Sequence, residues 1–268
     1  IFGLTDDEFK EPGELGLEQV KYDIPPKLDK KHIAAFEKIV GKENVSQKDY
    51  DRLSVAYGQT MIDLMRLRKG IVENIPDAVL YPGDAEEITK IVAYCNENLI
   101  PLYVYGGGSS VTRGVECVKG GISLDLRKNF NKVINFNEIN QTITVQAGMF
   151  GPALEKILNN AEVTLKAKDR YTCGHFPQSF EYSTVGGWVV TRGAGQNSTY
   201  YGKIEDIVLS QEYATPVGYI KTDNTPRKAT GPDIDHIMMG SEGCYGVLTN
   251  VTLRVFKYRP ENRVRFSY

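Results

Sequence analysis

Apolar and polar positions along residues 78–105 predict a strand, a helix and a second strand. Residues 78–81 form a short apolar run, and Asp84 with Glu87 has the spacing of a helix capping box. Apolar side chains then recur at helical spacing, at Ile88, Ile91, Val92, Cys95 and Leu99. Residues 101–105 form a second apolar run. Such a unit returns in parallel through a right-handed crossover, so the loop after residue 105 is expected at a strand's carboxyl end, where ligands bind.

The rest of the pattern predicts elements on both sides of this unit. Helices are expected over 29–40, 47–67 and 151–159, and strands over 121–126, 143–147, 207–213, 217–221 and 246–256. The fold class that this order indicates is α+β. We divide the chain into a helical N-terminal arm over 1–77, an α/β subdomain over 78–135 and a second subdomain over 136–258.

A run of glycines follows the second strand of the unit. Gly106, Gly107 and Gly108 lack side chains, so their backbone N–H groups can approach a phosphate oxygen closely. Taken alone, the run is also consistent with an ordinary turn. Val111 stands where the Rossmann pattern needs a glycine, and the lysine of a Walker loop is absent. The run therefore favours the pyrophosphate of a bound dinucleotide over a phosphoryl group that is transferred.

Two further loops combine glycine with small hydroxyl residues. In the first, Ser183 or Thr184 can cap a helix. Gly186 and Gly187 in that helix allow another backbone or a flat ring to approach closely. The second, over 240–246, comes directly before a predicted strand. Tight helix packing and a plain turn are the alternative interpretations. Together the three loops match a long cofactor with pyrophosphate, ribityl and ring parts.

Composition excludes several functional classes. The net charge is −2 and the basic residues are dispersed, which argues against a nucleic-acid partner. The 4 cysteines have no C-x-x-C spacing and the 3 histidines are scattered, so no metal site is expected. No apolar stretch approaches the roughly 20 residues that cross a bilayer, and we expect a cytoplasmic protein.

These loops, together with residues 201–206 and 230–248, resemble the PCMH-type FAD-binding domain of the vanillyl-alcohol-oxidase superfamily. The resemblance covers about residues 78–256, and within the superfamily it is strongest to the alkyldihydroxyacetonephosphate synthases of ether-lipid synthesis. Trp188 with Thr191 and Arg192 favours the synthases, because glycolate and D-lactate oxidising relatives usually carry asparagine after the double glycine. Departures from the synthase pattern at residues 193–197, at 244–245 and at Gln178 leave open a relative with another substrate.

The resemblance implies an FAD site in which residues 106–110 hold the pyrophosphate. The cofactor-binding residues that it predicts are Val104, Tyr105, Gly106, Gly107, Gly108, Ser109, Ser110, Gln178, Ser179, Phe180, Glu181, Tyr182, Ser183, Thr184, Thr191, Arg192, Gly193, Ala194, Glu242, Gly243, Cys244, Tyr245, Gly246, Val247 and Leu248. The glycine loop contains no histidine, so the FAD is expected to be non-covalent.

The resemblance also implies an activity, the exchange of the acyl chain of acyl-dihydroxyacetone phosphate for a long-chain alcohol. The catalytic residues are unknown and are expected in a cap domain, of which residues 259–268 would be the start. A small or lipid-like substrate, a peripheral membrane contact through the cap, a homodimer and, in a eukaryote, a peroxisomal location are further implications. The alternatives are an FAD-linked oxidase or dehydrogenase of a 2-hydroxy acid, and a non-catalytic flavin-binding subunit.

Three residues have two interpretations each. His175 is either a group that places the flavin or a substrate oxyanion, or a packed loop residue. Arg192 either neutralises a phosphate or forms a structural salt bridge. Trp188 is expected in the core rather than as a stacking partner.

Overall fold

The computed structural model describes residues 22–225 and 228–260. Its first helices are α1 (Lys30–Val40), α2 (Asp49–Ser54) and α3 (Met61–Arg68), with the short strand β1 (Val45–Ser46) between α1 and α2. The prediction of one helix over 47–67 is wrong, because the chain turns at Gly58 and a separate helix begins after Thr60. The Thr60 hydroxyl caps α3 by accepting a hydrogen bond from the Asp63 N–H at 2.9 Å. Residues 1–21 of the predicted arm lie outside the described residues.

The first sheet contains the predicted strand–helix–strand unit. It consists of β1, β2 (Ala78–Leu80), β3 (Leu102–Tyr105) and β4 (Ile122–Asp125) in the order β1-β2-β4-β3. Both β2 and β3 run parallel to β4, which lies between them. The parallel arrangement is confirmed, and the glycine loop leaves the carboxyl end of β3.

The connecting helix α4 (Ala85–Glu97) begins as its capping pattern predicts. The Asp84 side chain accepts a hydrogen bond from the Glu87 N–H at 2.8 Å, and Ile88, Ile91, Val92 and Cys95 are buried. The prediction that Leu99 belongs to the buried apolar face of this helix is wrong. The helix ends at Glu97, so Leu99 has a left-handed backbone (φ 54°) and is 88% exposed.

The second sheet is antiparallel throughout its described strands. It consists of β5 (Val133–Asn137), β6 (Thr142–Gln146), β8 (Val208–Thr215), β9 (Gly218–Lys221) and β10 (Val247–Arg254), in the order β5-β6-β10-β8-β9. Helix α4 packs against β8 and β10, and one continuous apolar core joins the two sheets. The fold is therefore α+β, while the division into two subdomains at residue 135 stays a prediction.

Shorter elements complete the fold. They are α5 (Gly151–Asn159), α6 (Ala161–Thr164), α7 (Val185–Val190), α8 (Ser198–Tyr201), α9 (Ile204–Ile207), α10 (Ile234–Met238), the paired strands β7 (Tyr171–Thr172) and β11 (Phe256–Lys257), and 3₁₀ turns at Lys42–Asn44 and Phe180–Tyr182. The α5 bounds agree with the predicted 151–159. Within the described ranges, no helix has both the length and the apolar composition needed to cross a membrane.

Candidate cofactor-binding site

Three loops enclose a cavity of about 390 Å³. The first loop, residues 106–115, follows β3. The second loop, residues 177–193, contains α7, and the third loop, residues 240–248, leads into β10. All three contribute to the cavity lining, and its volume lies in the range of small-molecule and cofactor sites.

Close backbone contacts hold the first two loops together. A side-chain Cβ at Gly107 would overlap the Tyr182 carbonyl oxygen and would lie 2.7 Å from Ser183 Cα. At Gly106, a Cβ would lie 2.5 Å from Thr184 Oγ1. Only residues without a side chain permit this approach, which explains why glycines occupy the end of β3.

The third loop is fixed to the second by the carbonyl groups that end α7. The Gly240 N–H donates to the Val189 carbonyl at 3.2 Å, and the Glu242 N–H donates to the Val190 carbonyl at 3.0 Å. The bond to Val190 occupies a carbonyl that the last helical turn leaves unpaired, whereas the Val189 carbonyl also accepts from the Arg192 N–H at 3.2 Å. The three loops therefore form one connected wall around the cavity.

The structure brings together a majority of the cofactor-binding residues predicted from the sequence. Those that line the cavity are Val104, Gly106, Gly107, Gly108, Ser109, Ser110, Ser179, Ser183, Thr184, Thr191, Gly193, Glu242, Gly243, Gly246 and Leu248. Those outside the lining are Tyr105, Gln178, Phe180, Glu181, Tyr182, Arg192, Ala194, Cys244, Tyr245 and Val247.

Local contacts explain why two of the predicted residues lie outside the lining. The Tyr105 hydroxyl donates to the Tyr57 carbonyl at 3.4 Å, and the Arg127 guanidinium lies 4.7 Å from the centre of the Tyr105 ring. Arg192 has a left-handed backbone (φ 52°), and its Nη2 is 3.3 Å from Glu205 Oε1. Of the two roles predicted for Arg192, the structure shows the salt bridge.

The cavity also has lining residues that were not predicted as cofactor contacts. They are Val111, Thr112, Gly114, Val115, Leu126, Ala147, Pro177, Gly186, Gly187, Trp188 and Val190. Gly186, Gly187 and Trp188 belong to the motif that carried the resemblance, so the signal for them was present. Leu126 and Ala147 follow β4 and β6, and only the packing of the two sheets brings them to the cavity.

The comparison with known proteins identifies the family of the chain. A model of the FAD binding domain family matches residues 76–224. The chain belongs to this family of FAD-binding domains. FAD is therefore its cofactor.

Relatives of this FAD-binding domain include two classes of flavoprotein. The chain is 38% identical over 210 residues to an alkyldihydroxyacetonephosphate synthase of Caenorhabditis elegans, covering 76% of this chain and 34% of that protein. It is also 38% identical over 196 residues to the uncharacterised FAD-linked oxidoreductase YgcU of Escherichia coli K12, covering 72% of this chain and 39% of that protein. A solved structure of an alkyldihydroxyacetonephosphate synthase superposes with a TM-score of 0.81 at 30% identity, covering 88% of this chain and 42% of the other. The aligned part of the chain thus spans less than half the length of each of these relatives.

The cavity of this FAD-binding domain fits the cofactor's mixed chemistry. A Cβ at Gly243 would meet no atom closer than Val104 Cγ2 at 3.9 Å, and a Cβ at Gly187 would meet only Thr184 Oγ1, at 3.5 Å. Both glycines line the cavity, so their missing side chains leave room for a ligand beside bare backbone. Leu126 and Leu248 supply an apolar wall for a flat ring, while the first loop offers N–H and hydroxyl donors for phosphate.

Trp188 forms part of the cavity wall and also belongs to the core of the domain. Its Nε1–H donates to Ser183 Oγ at 2.7 Å, and its ring is 2% exposed. The His175 ring packs edge-on against it, with 4.9 Å between ring centres. His175 therefore lies behind Trp188, outside the residues that line the cavity.

At neutral pH, His175 is a neutral imidazole in the folded domain. It is fully buried, and neither ring nitrogen has a hydrogen-bond partner among residues 22–225 and 228–260. Burial lowers its pKa to about 4, and nearby Glu205 offsets only part of that effect. The structure thus assigns His175 a packing position.

The buried imidazole makes the domain acid-sensitive. Because the pKa of His175 is lower in the folded than in the unfolded chain, protons bind preferentially to the unfolded chain below pH 6.5. We expect His175 to contribute a loss of about 3 kcal/mol in unfolding free energy between pH 7 and pH 4. Urea unfolding at a series of pH values measures it. The His175→Gln variant should show a flatter profile, while exposed His236→Gln should keep the wild-type profile; equal profiles for all three would contradict the assignment.

Proposed function

We propose that this FAD-binding domain is the flavin-binding portion of an alkyldihydroxyacetonephosphate synthase-like enzyme. Such an enzyme would exchange the acyl chain of acyl-dihydroxyacetone phosphate for a long-chain alcohol. The observation that carries the proposal is the cavity formed by the three loops, whose second loop contains the Trp188 and Thr191-Arg192 pattern of the synthases. The similarity to the synthase of Caenorhabditis elegans and to the solved synthase structure supports it.

Different lining residues would bind the phosphates and the ring of FAD. We assign the pyrophosphate to the first loop, where the N–H groups of residues 106–110 and the hydroxyls of Ser109 and Ser110 supply donors. Val104, Leu126 and Leu248 line the same cavity and exclude water from the ring. When bound, FAD supplies a ring that accepts electrons or reacts with a substrate carbon. This chain's residues hold and desolvate that ring.

We also propose that the FAD is held without a covalent bond. In the described part of the chain, the lining contains neither a histidine nor a cysteine side chain. His175 lies behind Trp188, and Cys244 lies outside the lining although it belongs to the third loop. Backbone donors and apolar contacts would then carry the affinity.

The second candidate function is an FAD-linked oxidoreductase of a 2-hydroxy acid, such as glycolate or D-lactate. The 38% identity to YgcU, which equals the identity to the Caenorhabditis elegans synthase, favours an FAD-linked oxidoreductase. The substrate class follows from a D-lactate dehydrogenase of Arabidopsis thaliana, which is 32% identical to the chain over 187 residues. In this alternative the flavin takes a hydride from the substrate.

Two assays on the full-length protein that the source gene encodes separate the candidates. We expect the protein to convert acyl-dihydroxyacetone phosphate and hexadecanol to alkyl-dihydroxyacetone phosphate. Mass spectrometry detects this product. Under anaerobic conditions, neither glycolate nor D-lactate should bleach the flavin absorbance near 450 nm. Bleaching by a hydroxy acid, with no ether product, would contradict the synthase proposal.

A further inference from the structure

An ionic cluster with buried carboxylates connects the N-terminal arm with the first loop. Arg113 Nε is 3.1 Å from Asp63 Oδ1, an ion pair without hydrogen-bond geometry, and Arg113 Nη2 is 2.7 Å from Glu116 Oε2. The Asp63 and Glu116 side chains are only 1% and 6% exposed. Asn74 Nδ2 also donates to Glu116 Oε1 at 2.8 Å. The cluster therefore spans α3, the segment after it and the end of the first loop.

Arg113 interrupts the part of the first loop that faces the cavity. Val111 and Thr112 before it, and Gly114 and Val115 after it, all line the cavity, whereas Arg113 does not. Its backbone is left-handed (φ 63°), a conformation that favours glycine and is strained for arginine. The ion pair with Asp63 directs the side chain towards α3, while the pair with Glu116 lies within the same segment of the chain.

The arm also contacts this loop at Ser110 and the strand before it at Tyr105. The Gln59 N–H donates to the Ser110 carbonyl at 2.7 Å, and the Tyr105 hydroxyl donates to the Tyr57 carbonyl at 3.4 Å. The arm is therefore attached to the end of β3 at residue 105 and to the first loop at residues 110 and 113. Gly106, Gly107 and Gly108, which line the cavity, lie between residues 105 and 110.

The cluster constrains the loop because its carboxylates are desolvated. A buried carboxylate that loses its cationic partner is strongly destabilised, so a loop movement that withdraws Arg113 from Asp63 is costly. A loop already fixed in its binding conformation loses less entropy when a ligand binds. The arm can therefore raise cofactor affinity without touching the cofactor.

We propose that Asp63, Arg113 and Glu116 form a clamp through which the N-terminal arm positions the first loop for the FAD pyrophosphate. Arg113 is a positioning residue in this proposal, and Asp63 and Glu116 are its anchors. The inference rests on the proposed placement of the pyrophosphate on the first loop. Since energetic coupling between two sites is reciprocal, bound FAD should in turn stabilise α3.

Hydrogen exchange on the full-length wild-type protein tests this reciprocity. We expect amides in α3 to exchange at least about 5-fold more slowly when FAD is bound than in the cofactor-free protein. Helix α1 provides the internal reference, because none of its residues belongs to the cluster or to the cavity lining. Equal exchange of α3 with and without FAD would overturn the clamp.

Affinity measurements on matched variants complete the test. Asp63→Asn keeps the shape of the side chain but removes its charge, and we expect FAD affinity to fall about 10-fold with loss of the α3 protection. Arg113→Lys, which keeps the charge but loses the forked guanidinium, should show a smaller fall. Phe36→Leu removes packing in α1 at a fully buried site, and it should lower thermal stability without changing FAD affinity.

The outcomes separate the clamp from the cofactor placement. If wild-type protein binds FAD but the first loop shows no protection, the placement of the pyrophosphate fails. If the first loop is protected and Asp63→Asn binds FAD as tightly as wild type, the clamp alone fails. If Asp63→Asn and Phe36→Leu weaken FAD binding in proportion to their loss of stability, the effect is general destabilisation and the clamp is overturned.

Discussion

Replacement of Gly107 by alanine is expected to weaken FAD binding by about 100-fold or more, which corresponds to about 2.7 kcal/mol. The new Cβ would overlap the Tyr182 carbonyl oxygen and press on Ser183 Cα, both of which are backbone atoms. The first and second loops would have to separate, and the donors that face the cavity would move with them. Isothermal titration of the cofactor-free protein with FAD measures the change.

Gly83→Ala is the matched control for this substitution. A Cβ at Gly83 would meet no atom closer than Glu87 Oε2 at 3.7 Å, and Gly83 lies outside the cavity lining. We expect its FAD affinity to equal that of the wild type. Equal affinities for Gly107→Ala and Gly83→Ala would show that the contact between the two loops does not support the cofactor site.

Replacement of Trp188 by alanine is expected to produce the largest loss of stability, about 3–5 kcal/mol. The ring is buried against His175 and stacks near Phe180, with 6.1 Å between the ring centres of Trp188 and Phe180. Its removal leaves a void in the cavity wall and takes away the donor that pairs with the Ser183 hydroxyl. Chemical unfolding of the wild type and the variant gives the difference in unfolding free energy.

Trp188→Phe separates the packing contribution from the hydrogen bond. This variant keeps an aromatic ring but loses the bond from Nε1–H to Ser183 Oγ, so we expect a loss of about 1 kcal/mol from the bond together with a small packing cost. A loss below about 1 kcal/mol for Trp188→Ala would mean that the ring is not a structural part of the wall.

Local patterns account for the elements that could be predicted. The Asp84 cap and the apolar spacing after it predicted α4, because both signals act within one or two turns of the chain. The same reasoning gave α5 its bounds. It failed over residues 47–67, where contact of Gly58 and Gln59 with the distant Ser110 breaks the helical path. It also failed at Leu99, which the apolar spacing could not distinguish from the buried face of α4.

Non-local packing decided what the sequence could not predict. The insertion of β4 between β2 and β3 depends on pairing between distant segments. The convergence of the three loops was predictable from their shared composition, but Leu126 and Ala147 reach the cavity only through the meeting of the two sheets. The placement of Arg192 outside the lining depends on its ion pair with Glu205, and a motif match carries no information on such a partner.

A crystal structure of the full-length protein with FAD tests the central claim most directly. We predict electron density for the pyrophosphate against the backbone of residues 106–110. The flavin ring should lie inside the cavity between the three loops, with no covalent bond to any side chain. Density for FAD at another surface, with this cavity filled by water, would contradict it.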